Sequence, residues 1–438
     1  MSKAAAAGTR PPAPRLTRAE WALLLVLVAI QFTHMVDFVI IMPLGDRLRR
    51  ELGISPEQFG AVVAAYAWAA GVASLLASFV MDRFDRKSVL LSMYAGFGVS
   101  TLLCGLAPTY EWLLVARTLA GVFGGLAAVS LMAVIGDVFP PEKRGRATGA
   151  VVSAFAVASV AGLPIGLLLA EEYGRGAPFV ALAALSAVVW LVGCVRLPPI
   201  RGHLAAPRRH PVAEFVAVVK TPNHLWGFAF SFFLVLGTFT VASFIAPVLS
   251  AANGWSEQKL AVIYMVAGLC TLLGTNVIGR LADRFPRLML FRILGAAALV
   301  MAVVVSNVTE VSLGGAVLAV SGFMVVAAGR MVPAQAMILG ASAPAVRGAF
   351  MSLNTAVQHL ATGLAPTIAG AILVEGPGGK LEGFPLVGLV SAGTAAVSLV
   401  LAGRLKPVPQ HVAPPVVTLV PPEERSAVAT VHEPAAVA

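Results

Sequence analysis

Residues 21–44 read WALLLVLVAIQFTHMVDFVIIMPL, an apolar run interrupted by Gln31, Thr33, His34 and Asp37. At 1.5 Å rise per residue, about 20 such residues cross the roughly 30 Å hydrocarbon core of a bilayer. Lys3, Arg10, Arg15 and Arg18 precede the run with no acid among them, and no small-x-small cleavage site follows it. The segment therefore reads as a retained first span and not as a signal peptide. The rest of the chain is of the same kind. Of 438 residues, 58% are hydrophobic and 12% charged, with a mean hydropathy of +0.87, whereas soluble domains carry about 25% charged residues. The solvent for such a surface is lipid.

Eleven further segments repeat the pattern: Phe59–Met81, Val89–Leu106, Trp112–Val138, Ala147–Ala170 and Pro178–Val195, then Leu225–Leu249, Leu260–Leu281, Leu288–Ser306, Val311–Leu339, Phe350–Leu373 and Phe384–Leu401. The expected organisation is a cytoplasmic tail (1–19), a six-span bundle (20–195), a basic cytoplasmic connection (196–224), a second six-span bundle (225–404) and a disordered cytoplasmic tail (405–438) rich in Pro, Val and Ala. Most of the 31 Lys and Arg residues fall on the side of the termini, which the positive-inside rule assigns to the cytoplasm of an inner-membrane protein. That distribution accounts for the formal charge of +10 without nucleic acid. The cluster Arg47, Arg49, Arg50 opposes the bias. Cys104, Cys194 and Cys270 lie in apolar runs at no disulfide or metal spacing and read as packing residues.

The chain also repeats itself. Asp82-Arg83 after the second span recurs as Asp283-Arg284 after the eighth. Arg144-Gly145 recurs as Arg347-Gly348, and Pro43 as Pro247. Landmarks recurring at about the same offset, 201 to 204 residues, argue for duplication. Each copy has six spans, so both insert the same way up, with a solute site near the midplane between them. The expected fold is an all-α membrane protein, twelve transmembrane helices in two six-helix bundles around a central cavity.

Several motifs carry a family resemblance. Asp82, Arg83, Arg86 and Lys87 match the G-x-L-a-D-R-x-G-R-K loop of the major facilitator superfamily, with Ser78 and Asp85 in place of its glycines. Arg117, Gly121, Gly124 and Gly125 resemble the fourth-span element of its drug:proton antiporter branch. Gly162-Leu163-Pro164-Ile165-Gly166 is similar to the fifth-span motif of sugar-efflux and arabinose-efflux-like exporters. The resemblance runs from Trp21 to Arg404, and Asp137 to Gly145 matches the family's fourth-span exit. It implies alternating access, with Arg86 pairing to Asp137 as a latch between the halves while the outside is open. Asp82 is expected to cap the eleventh span near Arg347. Gating is the role expected of Asp82, Arg83, Arg86, Lys87, Asp137, Arg144, Asp283, Arg284, Arg287 and Arg347. Gly121, Gly124, Gly125, Gly162 and Gly166 permit close helix contact, and Pro164 can bend the fifth span.

Asp37 alone among the acids lies well inside a span, where an ionisable group is a functional hypothesis by default. It sits roughly 10 Å from the outer end of its span, and Arg117 roughly 8 Å from the outer end of the fourth. Desolvation favours a neutral carboxyl and a nearby cation a charged one, so a movement that alters either would switch protonation. Asp37, biased by Arg117, is the expected proton-coupling group, with a permanent structural ion pair as the alternative. His34, one turn away, is either a relay or a packing residue, and Gln31 continues its flank. Arg330 either holds an anionic or polar part of the solute or pairs with helix carbonyls freed by Pro333. Tyr66, Trp68, Thr238, Thr240, Asn276, Asn354, Gln358 and His359 are the remaining candidates for the cavity wall.

The expected activity is proton-coupled efflux of a small molecule such as a drug, sugar or metabolite, by a monomer in lipid. A proton symporter or facilitator for nutrient uptake is the alternative, and a transporter-like sensor a third reading. No metal-ligand spacing or Ser-His-Asp set supports an enzyme. The proton is the only expected cofactor-like species.

Overall fold

The computed structural model describes residues 16–201, 204, 211–308, 310–343 and 346–408. The expected tails over 1–19 and 405–438, and the connection over 196–224, therefore lie partly outside the described residues. The first half comprises α1 (Arg18–Ile40), α2 (Gly45–Leu52), α3 (Pro56–Val80), α4 (Arg86–Gly105), α5 (Tyr110–Val138), α6 (Pro141–Val157), α7 (Leu163–Tyr173) and α8 (Ala177–Arg196). A short helix, α9 (Pro211–Val219), stands in the expected connection. The second half comprises α10 (Pro222–Ala242), α11 (Ile245–Asn253), α12 (Glu257–Arg284), α13 (Arg287–Asn307), α14 (Leu313–Gly340), α15 (Arg347–Ile372), the two-stranded hairpin β1 (Val374–Glu375) and β2 (Leu381–Glu382), and α16 (Phe384–Ala402).

In lipid no water satisfies the backbone, so helices are the natural spanning element for such a chain. Eleven helical segments of the described residues have the length and apolarity to cross a membrane. The remaining one, α15, eleventh in chain order, is 26 residues long but carries Asn354, Gln358 and His359 along its middle. Helix starts are encoded locally. Thr17 and Glu20 form a capping box for α1, and Ser55 and Gln58 form another for α3, where Pro56 takes the first turn.

The first and seventh spans end earlier than their apolar runs suggest. α1 stops at Ile40 and α10 at Ala242, and the chain restarts as the short helices α2 and α11. Pro43 and Pro247 lack the N–H that a continuous helix would need there. Both short helices end on a glycine at φ 62°, Gly53 and Gly254, the left-handed cap that glycine adopts without penalty. Ser55 then caps α3 through its side chain, and Ser256 takes the corresponding position before α12 without a side-chain hydrogen bond.

The two faces of the molecule differ. At the face opposite the termini, here the hairpin face, one apolar core draws on both halves, from Ile40, Leu44 and Phe59 to Phe244, Leu249 and Phe384. At the face of the termini each half keeps its own core, around Tyr94, Leu131 and Leu197 in the first and Phe230, Phe291 and Phe350 in the second. Polar contacts cross between halves at the hairpin face. Arg49 pairs with Glu375 at 2.7 Å, and Ser250 donates to Asp46 at 2.9 Å. The basic cluster of α2 is thereby neutralised, since Arg47 also meets Glu51 at 2.7 Å and Arg50 meets Asp46 at 3.1 Å. The bundle is thus sealed at the hairpin face.

Glycines set the helix spacing in both halves. A Cβ on Gly121 would run into the Tyr66 backbone, and one on Gly125 would lie 2.8 Å from Ala70 Cα. Gly162 faces Val36 and Gly166 faces Ile40, so α7 rests directly on α1. Just before Pro164 the fifth span passes through a π-helical turn, Ala158–Gly162, the kind of local widening that accompanies kinks. That turn packs on α12, where Gly268 faces the Ser159 carbonyl. Gly121→Val should therefore destabilise the bundle by about 1–3 kcal/mol through overpacking. Gly136→Ala, with nothing within 4 Å of the added Cβ, should leave the thermal unfolding midpoint in detergent unchanged.

Candidate functional site

Asp37 on α1 and Arg117 on α5 meet at 2.9 Å, and neither side chain has any solvent exposure. Arg117 Nη1 donates to Asp37 Oδ2 and, at 3.3 Å, to the Asp37 backbone carbonyl. Thr101 on α4 donates to the other carboxylate oxygen at 3.2 Å. The guanidinium lies 4.5 Å from the centre of the Tyr66 ring on α3, a cation–π contact that strengthens when water is excluded. Four helices thus converge on one ion pair. Gly121 and Gly124 make this possible, since a side chain at either would strike Tyr66.

The pair leaves polar capacity unfilled. Nε and Nη2 of Arg117, the Tyr66 hydroxyl and both ring nitrogens of His34 are buried without a hydrogen-bond partner. The His34 ring sits between Tyr66 and Phe97, at 6.0 and 5.7 Å between centres. It makes no hydrogen bond to Asp37, so in this conformation it is not a direct relay to the carboxylate. Gln31 lies half-buried on the same helix.

In the second half Arg330 on α14 reaches across to α10. Its Nη2 donates to Thr238 Oγ1 at 2.7 Å and to the Leu234 carbonyl at 3.2 Å. The carbonyl it meets belongs to a neighbouring helix, not to the turn that Pro333 disrupts, which corrects that alternative. Asn354 on α15 is 1% exposed, and both its amide atoms lack a partner. Gln358 and His359 are half-buried on the same helix, and His359 faces Gly71 across the α3–α15 seam. Three expected wall residues behave otherwise. Thr240 is fully buried and donates to Leu236 of its own helix at 2.7 Å. Asn276 is exposed and donates to Leu272 of its own helix. Trp68 is 40% exposed and packs on Gly363 in the seam, not in the interior.

A family model described as Major Facilitator Superfamily matches residues 27–331, from α1 to most of α14. The chain belongs to the Major Facilitator Superfamily. It is 28% identical over 347 residues to the uncharacterized MFS-type transporter YceJ of Bacillus subtilis, covering 78% of this chain and 87% of that protein. It is 29% identical over 239 residues to a chloramphenicol resistance protein of Streptomyces lividans, covering 54% and 60%. Among solved structures it resembles a D-xylose-proton symporter, with a TM-score of 0.72 at 14% identity over 88% of this chain and 98% of that one. As a superfamily member the chain is a multi-pass membrane transporter, not an enzyme.

The superfamily's loop motif takes a specific form here. Arg86 meets Asp137 at 2.9 Å, joining α4 to α5 within the first half. The pairing forms as expected, and both its members belong to the first half, where the resemblance implied a contact between the halves. Asp85, in place of a family glycine, caps α4 at Lys87 N and accepts from Ile200 N and Arg201 Nε, both at 3.1 Å. Partial burial pushes its carboxyl up, but these donors outweigh it and hold it below the usual range. Lys87 donates to the Cys194 carbonyl at 2.8 Å, so the same loop grips the end of α8. Arg144 binds the Phe139 carbonyl, Arg287 that of Ala336 and Arg347 that of Ser342. Arg83, Asp283 and Arg284 are exposed at helix ends. The Asp82 side chain, and with it the expected cap on α15, lies outside what is described.

Removing one member of a buried pair strands the other, at about 3–5 kcal/mol. Arg117→Leu alone should therefore lower the unfolding midpoint steeply. Arg117→Leu combined with Asp37→Asn should recover much of that loss, and additive losses in thermal unfolding would show the two groups to be energetically independent.

Proposed function

We propose that this chain is a proton-coupled exporter of a small solute in the cytoplasmic membrane, working as a monomer with both termini in the cytoplasm. The observation that carries the reading is the ion pair of Asp37 and Arg117, buried without exposure where α1, α3, α4 and α5 meet. A charge pair so placed is expensive, and a fold indifferent to protons could replace it with apolar side chains. Protonation of Asp37 removes the charge that holds the guanidinium, freeing Arg117 to turn to other partners and loosening α1 from α5. In the conformation described the pair is sealed, so exchange with water requires the contacts around it to part as the halves rock.

The basic residues gathered at the face of the termini support a cytoplasmic assignment for that face. With that assignment, the sealed hairpin face supports an inward-facing reading of this arrangement. Efflux is favoured by the Gly162-Leu163-Pro164-Ile165-Gly166 element, which lays α7 on α1, and by the likeness to a chloramphenicol resistance protein. Proton-driven uptake is the second reading, favoured by the fold shared with a proton symporter.

The test is solute flux in proteoliposomes under an imposed pH gradient. Efflux coupling predicts that solute moves against the proton flow, and that Asp37→Asn, less stable than wild type because it strands Arg117, loses acceleration by the gradient by a factor of ten or more. Undiminished gradient-driven flux in Asp37→Asn would end the proposal. Solute moving with the protons would select the uptake reading.

A further inference from the structure

Three arginines are buried among the described residues: Arg49, Arg117 and Arg330, at 5%, 0% and 2% exposure. Two of them have a carboxylate, Glu375 at 2.7 Å and Asp37 at 2.9 Å. Arg330 has neutral partners alone, the Thr238 hydroxyl and the Leu234 carbonyl, both on Nη2. Its Nε and Nη1 are buried with no partner. A guanidinium stays charged in proteins, and a buried charge without a counter-ion is strongly disfavoured.

Another unsatisfied group stands at the same level. Leu234, Ala334 and Phe350 share one core cluster. Arg330 lies one turn before Ala334 on α14, and Asn354 one turn after Phe350 on α15. These helices run in opposite directions, so both residues are displaced from the cluster toward the hairpin face. Arg330 also touches the Leu234 carbonyl itself. Asn354 leaves both amide atoms unpartnered. A cation and an amide, both lacking partners at one level of the second half, have the chemistry of an anion site. The first half offers no equivalent, because Asp37 already neutralises Arg117.

We propose that the transported solute is a small organic anion whose carboxylate is held by Arg330, assisted by Asn354. This rests on the transporter reading above and names the chemical class of its cargo. A guanidinium suits a carboxylate in geometry as well as charge.

The experiment measures thermal unfolding of the purified full chain with benzoate, citrate, chloride, glucose and tetraphenylphosphonium, for wild type, Arg330→Gln and Arg330→Lys. Benzoate or citrate should stabilise wild type saturably, while glucose and tetraphenylphosphonium do not. The carboxylate affinity should fall at least about tenfold in Arg330→Gln and less in Arg330→Lys. Without anion, Arg330→Gln should unfold at or above the wild-type midpoint, because it removes an uncompensated charge; a residue that merely held helices together would unfold lower. No saturable carboxylate effect, an equal effect of chloride, or one that survives in Arg330→Gln would overturn the proposal. Flux of the stabilising carboxylate in proteoliposomes separates the two readings. Arg330-dependent binding without flux would leave the anion site standing and remove the transporter reading. Flux of a neutral or cationic solute, unchanged in Arg330→Gln, would do the reverse.

Discussion

A carboxylate and a guanidinium share a space from which water is excluded, and the arrangement of the first half follows from keeping them together. Separated, each would face several kcal/mol of desolvation with no return. Joined at 2.9 Å, they need four helices close enough to supply Thr101, Tyr66 and a dry wall. That closeness depends on residues without side chains, because Gly121 and Gly124 stand where any Cβ would displace Tyr66. The same economy repeats farther along, where Gly162 and Gly166 set α7 on Val36 and Ile40. The glycine motifs and the ion pair are parts of one constraint.

The two halves descend from one pattern but divide the chemistry unequally. Both keep the broken first helix, the short helix ending on a left-handed glycine and the serine that starts the next. The first half places a balanced charge pair in its interior. The second places a cation with neutral neighbours and an amide without any. Duplication supplied the frame, and divergence put different charge into each copy of it.

Much of this was readable from the chain because membrane burial penalises polar residues severely. One acid in an apolar run stands out, and equal depths on two spans make its partner findable. The spans themselves follow from length and apolarity, α15 the least apolar of them because of its polar middle. Thr101 was not legible, since a hydroxyl can bond its own helix and so occurs in apolar runs without meaning. Thr240 and Asn276 misled for that very reason, each being satisfied within its own helix. Gly53 and Gly254, each two residues before a serine, recur at the repeat offset. Their meaning depends on backbone angles that letters alone do not carry. The ends of α1 and α10 were misplaced because apolarity continues through Pro43 and Pro247 after the helix has stopped.

The hairpin between α15 and α16 has a counterpart of only a few residues between α7 and α8. Its Glu375 terminates on Arg49 of the opposite half, beside Asp46 and Ser250, in a recess of about 590 Å³. Beneath it lies the shared apolar plug of Ile40, Phe59 and Phe244. A solute leaving by that mouth would pass the apolar plug before the charged rim. Because Glu375 and Arg49 belong to different halves, opening that mouth must part them.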